Sequence, residues 1–353
     1  MKTLAPVVVG TTDDEGRIIA DEHLKHPDPE ERAAAARRLA REALPMIGIP
    51  ADSPLQVLPV SENLVVRVAP DGRAPLVLRI TPPHARTDDE IRSELSWIDA
   101  LDRESDVSVA GVIAAPTGDS LLKVTDPVSA VTASVAVFRN LEGHEPEEDE
   151  LPALMPDLGR ISALLHEHSS RWARPARFMR GSWDTETAFG SRPIWGDWRA
   201  AVPNPADRAH LKRAEDLLVA RLRSYGRGPD RFGLIHADLR TANLLVDDGH
   251  CSIIDFDDAG FGWWLYDLAT ALTFYENHPQ RDAFIDSWLT AYRQVRPLAE
   301  EDILEIPSLL LFRRLLTLAF LGNNPTIEVS TSMLPGLPEQ TCALAEEYLR
   351  LFG

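Results

Sequence analysis

Residues 234–268 read LIHADLRTANLLVDDGHCSIIDFDDAGFGWWLYDL, and the order of polar and apolar positions there decides what the rest of the chain must be. His236, Asp238 and Asn243 stand in the spacing H-x-D-x-x-x-x-N, between the runs Gly-Leu-Ile at 233–235 and Leu-Leu-Val at 244–246. A strand on each side holds the polar side chains on a short rigid loop. Asp247-Asp248-Gly249 is a turn signal that sends the chain back into residues 251–256. Asp255 is therefore expected close to Asn243. In-line phosphoryl transfer asks for an oriented hydroxyl and for neutralised phosphate charge, with little covalent help from the protein. Asp238 suits the first task as proton acceptor, and the hard oxygens of Asn243 and Asp255 suit Mg²⁺ for the second.

Upstream of this stretch, residues 28–44 are Ala/Arg/Glu-rich with apolar positions at helical spacing, and Pro45 and Pro50 end the pattern. Residues 56–69 and 74–80 alternate and are β-branched around Pro70-Asp71-Gly72, which predicts a hairpin. Residues 87–101 carry Ile91, Leu95, Ile98 and Leu101 on one face behind Asp88 and Asp89, a capped amphipathic helix. Residues 112–125, turned at Thr117-Gly118-Asp119, and residues 130–141 read as strands. The first part is thus an antiparallel sheet crossed by a helix.

After the acidic run 145–150, helices are expected over 154–168, 205–225, 264–277, 281–295, 303–321 and 339–351. His166, near the end of the first of these, is read as satisfied by a neighbouring carbonyl. Residues 171–205 are irregular and rich in Trp, Arg, Gly and Pro, the composition of a functional or large packed loop. The fold class is α+β, with a sheet-rich N-lobe over residues 1–141 and a mainly helical C-lobe over 142–353.

With 353 residues the chain can bury two sizeable cores. Its 55 acidic against 36 basic residues give a net charge of −19, which disfavours nucleic acid and anionic membrane as partners. Cys251 and Cys342 lack metal-ligand spacing and exclude a disulfide scaffold. The opening segment MKTLAPVVVGTTDDEG does not read as a signal peptide, and no stretch is read as approaching the ~18 apolar residues of a membrane span. A cytoplasmic protein is expected.

The H-x-D-x-x-x-x-N loop followed by Ile-Asp-Phe-Asp-Asp-Ala at 254–259 resembles the catalytic and metal loops of the aminoglycoside phosphotransferase and choline kinase superfamily, a branch of the protein-kinase-like fold. It is similar in particular to bacterial small-molecule phosphotransferases. The resemblance implies a two-lobed kinase that uses ATP or GTP with Mg²⁺. It places Arg79 where kinases carry a strand lysine on the nucleotide phosphates, as choline kinases also do, and Glu94 as its partner carboxylate. Residues 59–63 (PVSEN) stand in place of a glycine-rich loop, so Ser61, Asn63 or backbone amides would meet the phosphates. Residues 135–141, with Phe138, would connect the lobes and meet the base. His236 would brace the loop and Asp267 hold its backbone. Arg240 would lie on the transferred phosphate, or simply at the surface. Asp257 and Asp258 would serve the metal, grip a cationic acceptor, or only hydrogen-bond the turn.

The acceptor is expected to meet the C-lobe aromatics Trp183, Trp195, Trp198, Trp263, Trp264 and Tyr266, with one of Trp263 and Trp264 packed and the other facing the cleft. Arg313 and Arg314 interrupt an apolar run, so at least one is expected to be nearly buried against an anionic partner. The leading reading is a small-molecule O-phosphotransferase acting on an amino alcohol, amino sugar, antibiotic or related metabolite. A stress-type Ser/Thr protein kinase and a nucleotide-binding pseudokinase are the alternatives. The segment 255–267 has no Ser or Thr to serve as an activation site, and the presence of Asp238, Asn243 and Asp255 together argues against the pseudokinase.

Overall fold

The structure is a computed structural model that describes residues 29–58, 63–325 and 328–353. By its internal contacts the chain divides into two units. The first comprises the chain up to Asp99 with Ala110–Leu141 and Pro175–Met179; the second comprises Ala100–Val109, Glu142–Arg174 and Arg180–Gly353.

In the first unit, α1 (Pro29–Met46) precedes β1 (Leu55–Val57), β2 (Leu64–Val68), β3 (Leu76–Thr81), α2 (Asp88–Glu104, whose last turns belong to the second unit), β4 (Leu121–Thr125) and β5 (Thr132–Arg139). The sheet order is β1-β2-β3-β5-β4, antiparallel throughout. Ala35, Ala36, Leu39, Ala40, Ala43 and Leu44 put one stripe of α1 against Leu64, Val66, Val68 and Val124 of the sheet. Pro45 falls inside the last helical turn rather than ending the helix before it. The expected strand pair over 112–125 is only half present. Residues 111–113 pair with β5 as a single bridge at Val112, and Pro116 with the turn at Gly118 (φ 86°) delays regular pairing until Leu121.

The second unit contains α3 (Leu151–Arg171), β6 (Ser182–Trp183), α4 (Thr185–Phe189), α5 (Pro205–Tyr225), β7 (Phe232–Ile235), β8 (Leu244–Asp247), β9 (His250–Ile253), β10 (Gly260–Trp263), α6 (Tyr266–Ala271), α7 (Arg281–Arg293), α8 (Glu300–Leu304), α9 (Ile306–Asn323), α10 (Glu328–Met333) and α11 (Leu337–Phe352). α3 crosses α7 at Gly159, where a Cβ would stand 2.1 Å from the Trp288 carbonyl oxygen, so no larger residue fits. β8 and β9 form the expected two-residue hairpin, with Asp248 (φ 45°) and Gly249 (φ 78°) both left-handed as a type I′ turn requires.

One element is added here and two expectations change. Residues 260–263 form a strand, β10, antiparallel to β7 and parallel to β6. The helix expected over 264–277 regularises only at Tyr266–Ala271 and gives way to turns before Phe274, which adopts φ 73°. The helix expected over 303–321 is broken at Glu305 into α8 and α9. Among the described residues, α9 alone has the length and composition of a membrane span, which the sequence reading did not foresee; 78% of it is buried within the protein, as a core helix.

Candidate active site

β7 delivers the chain to a loop, residues 236–243, whose backbone is fixed from below by one face of α6. Ala237 adopts φ 67°, an unfavourable conformation for a residue with a Cβ. It is held by its N–H donating to Asp267 Oδ1 at 2.7 Å, and the His236 N–H donates to Oδ2 at 3.2 Å. One turn on, the Leu239 N–H donates to Thr270 Oγ1 at 3.0 Å. Asp267 is fully buried.

His166 extends this brace. Its Nε2 lies 3.0 Å from Asp267 Oδ2 and its Nδ1 2.9 Å from the Tyr292 hydroxyl. The carboxylate can only accept, so Nε2 carries the proton and Nδ1 accepts from Tyr292. Burial lowers the His166 pKa, which favours that neutral form. The partners are a carboxylate and a phenol, not the carbonyl expected from the sequence. His236 packs on Phe256, ring centroids 4.5 Å apart, and its Nδ1 accepts from the Asp238 N–H at 3.3 Å.

Asp238 is surrounded by donors. Its Oδ2 accepts from Asn243 Nδ2 at 2.7 Å and from Arg240 Nε at 3.1 Å, and its Oδ1 from Arg313 Nη2 at 2.5 Å. Burial pushes its pKa up, but the Arg313 and Arg240 guanidiniums outweigh burial and hold it below the usual carboxylate range. Arg240 is thus turned onto Asp238. Asn243 Nδ2 also reaches the Asp238 carbonyl at 2.8 Å. With both amide protons on acceptors, the Asn243 carboxamide oxygen is left as an acceptor, which is the atom a hard cation takes.

The hairpin brings the second candidate oxygen ligand into register. The Ile254 N–H donates to the Asn243 carbonyl at 3.0 Å, and Asp255 follows at φ 61° with an exposed side chain. Among the described residues, no group of three or more His, Cys, Asp and Glu gathers as a metal cluster. Mg²⁺ commonly takes one or two protein oxygens with phosphate and water, so the pair Asn243 and Asp255 fits it. The chain beyond Asp255 is pinned by the irregular Trp/Arg-rich segment: Arg180 donates to the carbonyls of Asp257 and Ala259, and Trp183 Nε1 to that of Asp258 at 2.7 Å. Asp257 is buried and Asp258 half-buried.

In the first unit, Arg79 on β3 and Glu94 on α2 form the ion pair the resemblance implies, as a two-pronged contact at 2.6 and 2.7 Å. The Arg79 guanidinium lies 5.5 Å from the Phe138 ring centroid. Asn63 is buried, and Ser61 lies outside the described residues.

The expected division of Trp263 and Trp264 is overturned, because the two are 2% and 3% exposed. Trp263 Nε1 donates to the Gly226 carbonyl, and the Trp264 ring packs between His166 and Arg296. Tyr266 is likewise buried, against Phe312 and beside Arg313; burial pushes its pKa up to about 12. Both arginines of α9 are buried, Arg313 on Asp238 and Arg314 on Glu276. Sequence reading flagged the pair but not the link to Asp238. It also passed over Thr273, which accepts from Arg313 Nε at 3.0 Å; Trp195, one of the aromatics expected to meet the acceptor, is half-buried with its ring 5.4 Å from the Arg313 guanidinium.

Residues 54–298 match the model of the phosphotransferase enzyme family (APH). The solved structure of a microcompartment-associated aminopropanol kinase is similar at 41% identity with a TM-score of 0.81, over 89% of this chain and 98% of that one. The amicoumacin kinase of Bacillus subtilis (strain 168) is 27% identical over 268 residues, 72% of this chain and 76% of the relative. An amicoumacin kinase in complex with AMP-PNP, Ca²⁺ and Ami shares the fold, with a TM-score of 0.71 at 20% identity over 91% of this chain and 96% of that one. The chain belongs to the phosphotransferase enzyme family and is a phosphotransferase of the protein-kinase-like fold.

Proposed function

We propose that the chain transfers the γ-phosphoryl group of ATP or GTP to the hydroxyl of a short amino alcohol. The observation that carries this reading is the Asp238–Asn243 arrangement. One side-chain amide holds a buried, ionised carboxylate in place and leaves its own oxygen for a cation. The acceptor hydroxyl would hydrogen-bond to Asp238 and attack the γ-phosphorus as the bond to the β–γ bridging oxygen breaks. The hydroxyl proton passes to Asp238 and the nucleoside diphosphate leaves. Asn243 and Asp255 would hold Mg²⁺, which when bound neutralises the phosphate charge. Arg79, steadied by Glu94 and Phe138, would bind the nucleotide phosphates.

The choice of acceptor is supported by the 41% identity to an aminopropanol kinase. An ammonium group beside the reacting hydroxyl would be met by Asp257 or Asp258. The test is a coupled assay of nucleoside diphosphate release with Mg²⁺, offering 1-amino-2-propanol, ethanolamine, choline, homoserine, an aminoglycoside and a generic protein as acceptors. Turnover is expected with the short amino alcohols. Turnover only on the protein, or on none of the acceptors, overturns the reading.

A further inference from the structure

We infer that Arg313 is a positioning residue, one that fixes the Asp238 carboxylate so that a single oxygen is left to receive the acceptor hydroxyl. The inference rests on the functional reading above and deepens it.

α9 is buried on nearly every side, and a guanidinium there is a costly choice unless it is paired. Arg313 is 4% exposed and anchored in three directions: Nη2 on Asp238 Oδ1, Nε on Thr273 Oγ1, and the guanidinium against the Trp195 ring. The anchor is built from the same segment that holds the loop. Asp267, Thr270 and Thr273 recur every three residues along α6 and the turn that follows it. The first two take the N–H groups of His236, Ala237 and Leu239, and the third takes Arg313. Thr273 donates its own proton to the Thr270 carbonyl at 2.7 Å, so only its lone pairs face Arg313. Loop backbone and guanidinium therefore share one frame of reference.

The two oxygens of Asp238 are not equivalent. Among the described residues, Oδ2 carries two donors, from Asn243 and Arg240, whereas Oδ1 carries only Arg313. A carboxylate oxygen accepts about two hydrogen bonds, so Oδ1 keeps the open place. Arg313 prevents rotation of the carboxylate that would exchange the two oxygens. Arg314, the next residue, supplies the contrast. It is equally buried and equally paired, but with Glu276 and Asn277, and touches nothing in the loop.

The experiment compares Arg313→Met, Arg313→Lys, Arg313→Ala and Arg314→Met with the wild type, using 1-amino-2-propanol and Mg·ATP, with thermal melts to report the folded fraction. Arg313→Met is expected to lower kcat about a hundredfold per folded molecule, with the nucleotide KM unchanged, as for other displacements of about 1 Å in a reacting group. Arg313→Lys is expected to recover part of the loss. Added methylguanidinium is expected to restore activity severalfold to Arg313→Ala. Arg314→Met is expected to lose stability but keep its kcat. If Arg313→Met keeps kcat within threefold, or if both methionine variants lose activity in step with their melting temperatures, Arg313 is structural only and the inference falls. A wild type inactive on every small acceptor removes the functional reading and this inference with it.

Discussion

Asn243 donates both of its amide protons to Asp238, one to the carbonyl at 2.8 Å and one to the carboxylate at 2.7 Å, so a single side chain closes the loop that separates them. Truncating either residue would break more than a chemical role. Asp238→Ala would also leave Arg313 buried without its carboxylate, and removing one partner of a buried pair typically costs about 3–5 kcal/mol. Asp238→Asn keeps an oxygen for Arg313 and removes the proton acceptor. It is expected to lower kcat by about 10²–10⁴, the range for removal of a general base, while circular dichroism and nucleotide affinity change little. Turnover within tenfold of the wild type would exclude Asp238 as the acceptor of the proton.

Asp255 is exposed, accepts a long hydrogen bond of 3.4 Å from the Asp257 N–H, and has its backbone in the left-handed region at φ 61°. Asp255→Ala is expected to cost about 1 kcal/mol of stability, because alanine tolerates the left-handed backbone at φ 61° less well than aspartate does. The same change should abolish the Mg²⁺ dependence of nucleotide binding. Titration calorimetry with and without Mg²⁺ checks this, and an undiminished response to the ion would count against a metal role.

The parts of the site that were legible in the sequence are those whose partners are near in the chain. The hairpin at Asp248-Gly249 follows from local turn chemistry, and it brings Asp255 behind Asn243 without any tertiary information. The antiparallel sheet and helical remainder follow from hydrophobic period alone. β10 was not legible, because Gly260 and Gly262 in G-F-G-W read as a loop and its pairing with β6 spans about 80 residues of chain. The Arg313–Asp238 contact bridges 75 residues, and nothing near Arg313 names its partner. Two charged residues inside an otherwise apolar helix were the available signal; they implied a buried anion without saying which one. The break between α8 and α9 has a local sign in Pro307, which sits in the first turn of α9, where proline is tolerated.

Stability of the first unit should carry a measurable acid dependence. Asp126 is fully buried and accepts from Arg38 through two hydrogen bonds of 2.8 Å, from the Val128 N–H at 3.2 Å and from the Ser129 hydroxyl at 2.9 Å. Arg38 above all holds its pKa down at about 2. The unfolded value is higher, near 3.9, so the unfolded chain binds the proton more readily and stability must fall as pH falls. The contribution is full above about pH 4 and is lost towards pH 2. It amounts to about 2 kcal/mol at most, since Arg38 is partly solvated. Asp126→Asn is therefore expected to lower the urea midpoint at pH 7, and the gap from wild type is expected to narrow below pH 4. A gap that stays constant down to pH 3 would assign the cost to packing rather than to the ion pair.

Arg79 and Glu94 pose the question of what a buried ion pair is for. Their contact is two-pronged and almost sealed from water, yet a buried pair of this kind often stabilises a protein no more than well-packed apolar residues would. On the proposed reading the pair serves ligand binding: Glu94 takes one N–H from each of Nη1 and Nη2 and so fixes the plane in which the guanidinium would meet phosphate oxygens. Arg79→Lys separates the two explanations. It keeps the charge and can still meet Glu94, but a lysine offers a point charge in place of the fork. Loss of one directed hydrogen bond to phosphate corresponds to about 1.4 kcal/mol, or a tenfold rise in the nucleotide KM. The acceptor KM is expected to stay put, and the melting temperature to fall by only a few degrees. Steady-state kinetics with each substrate varied in turn, alongside a thermal melt, makes the comparison. A large fall in melting temperature with an unchanged nucleotide KM would make the pair a structural tie between β3 and α2.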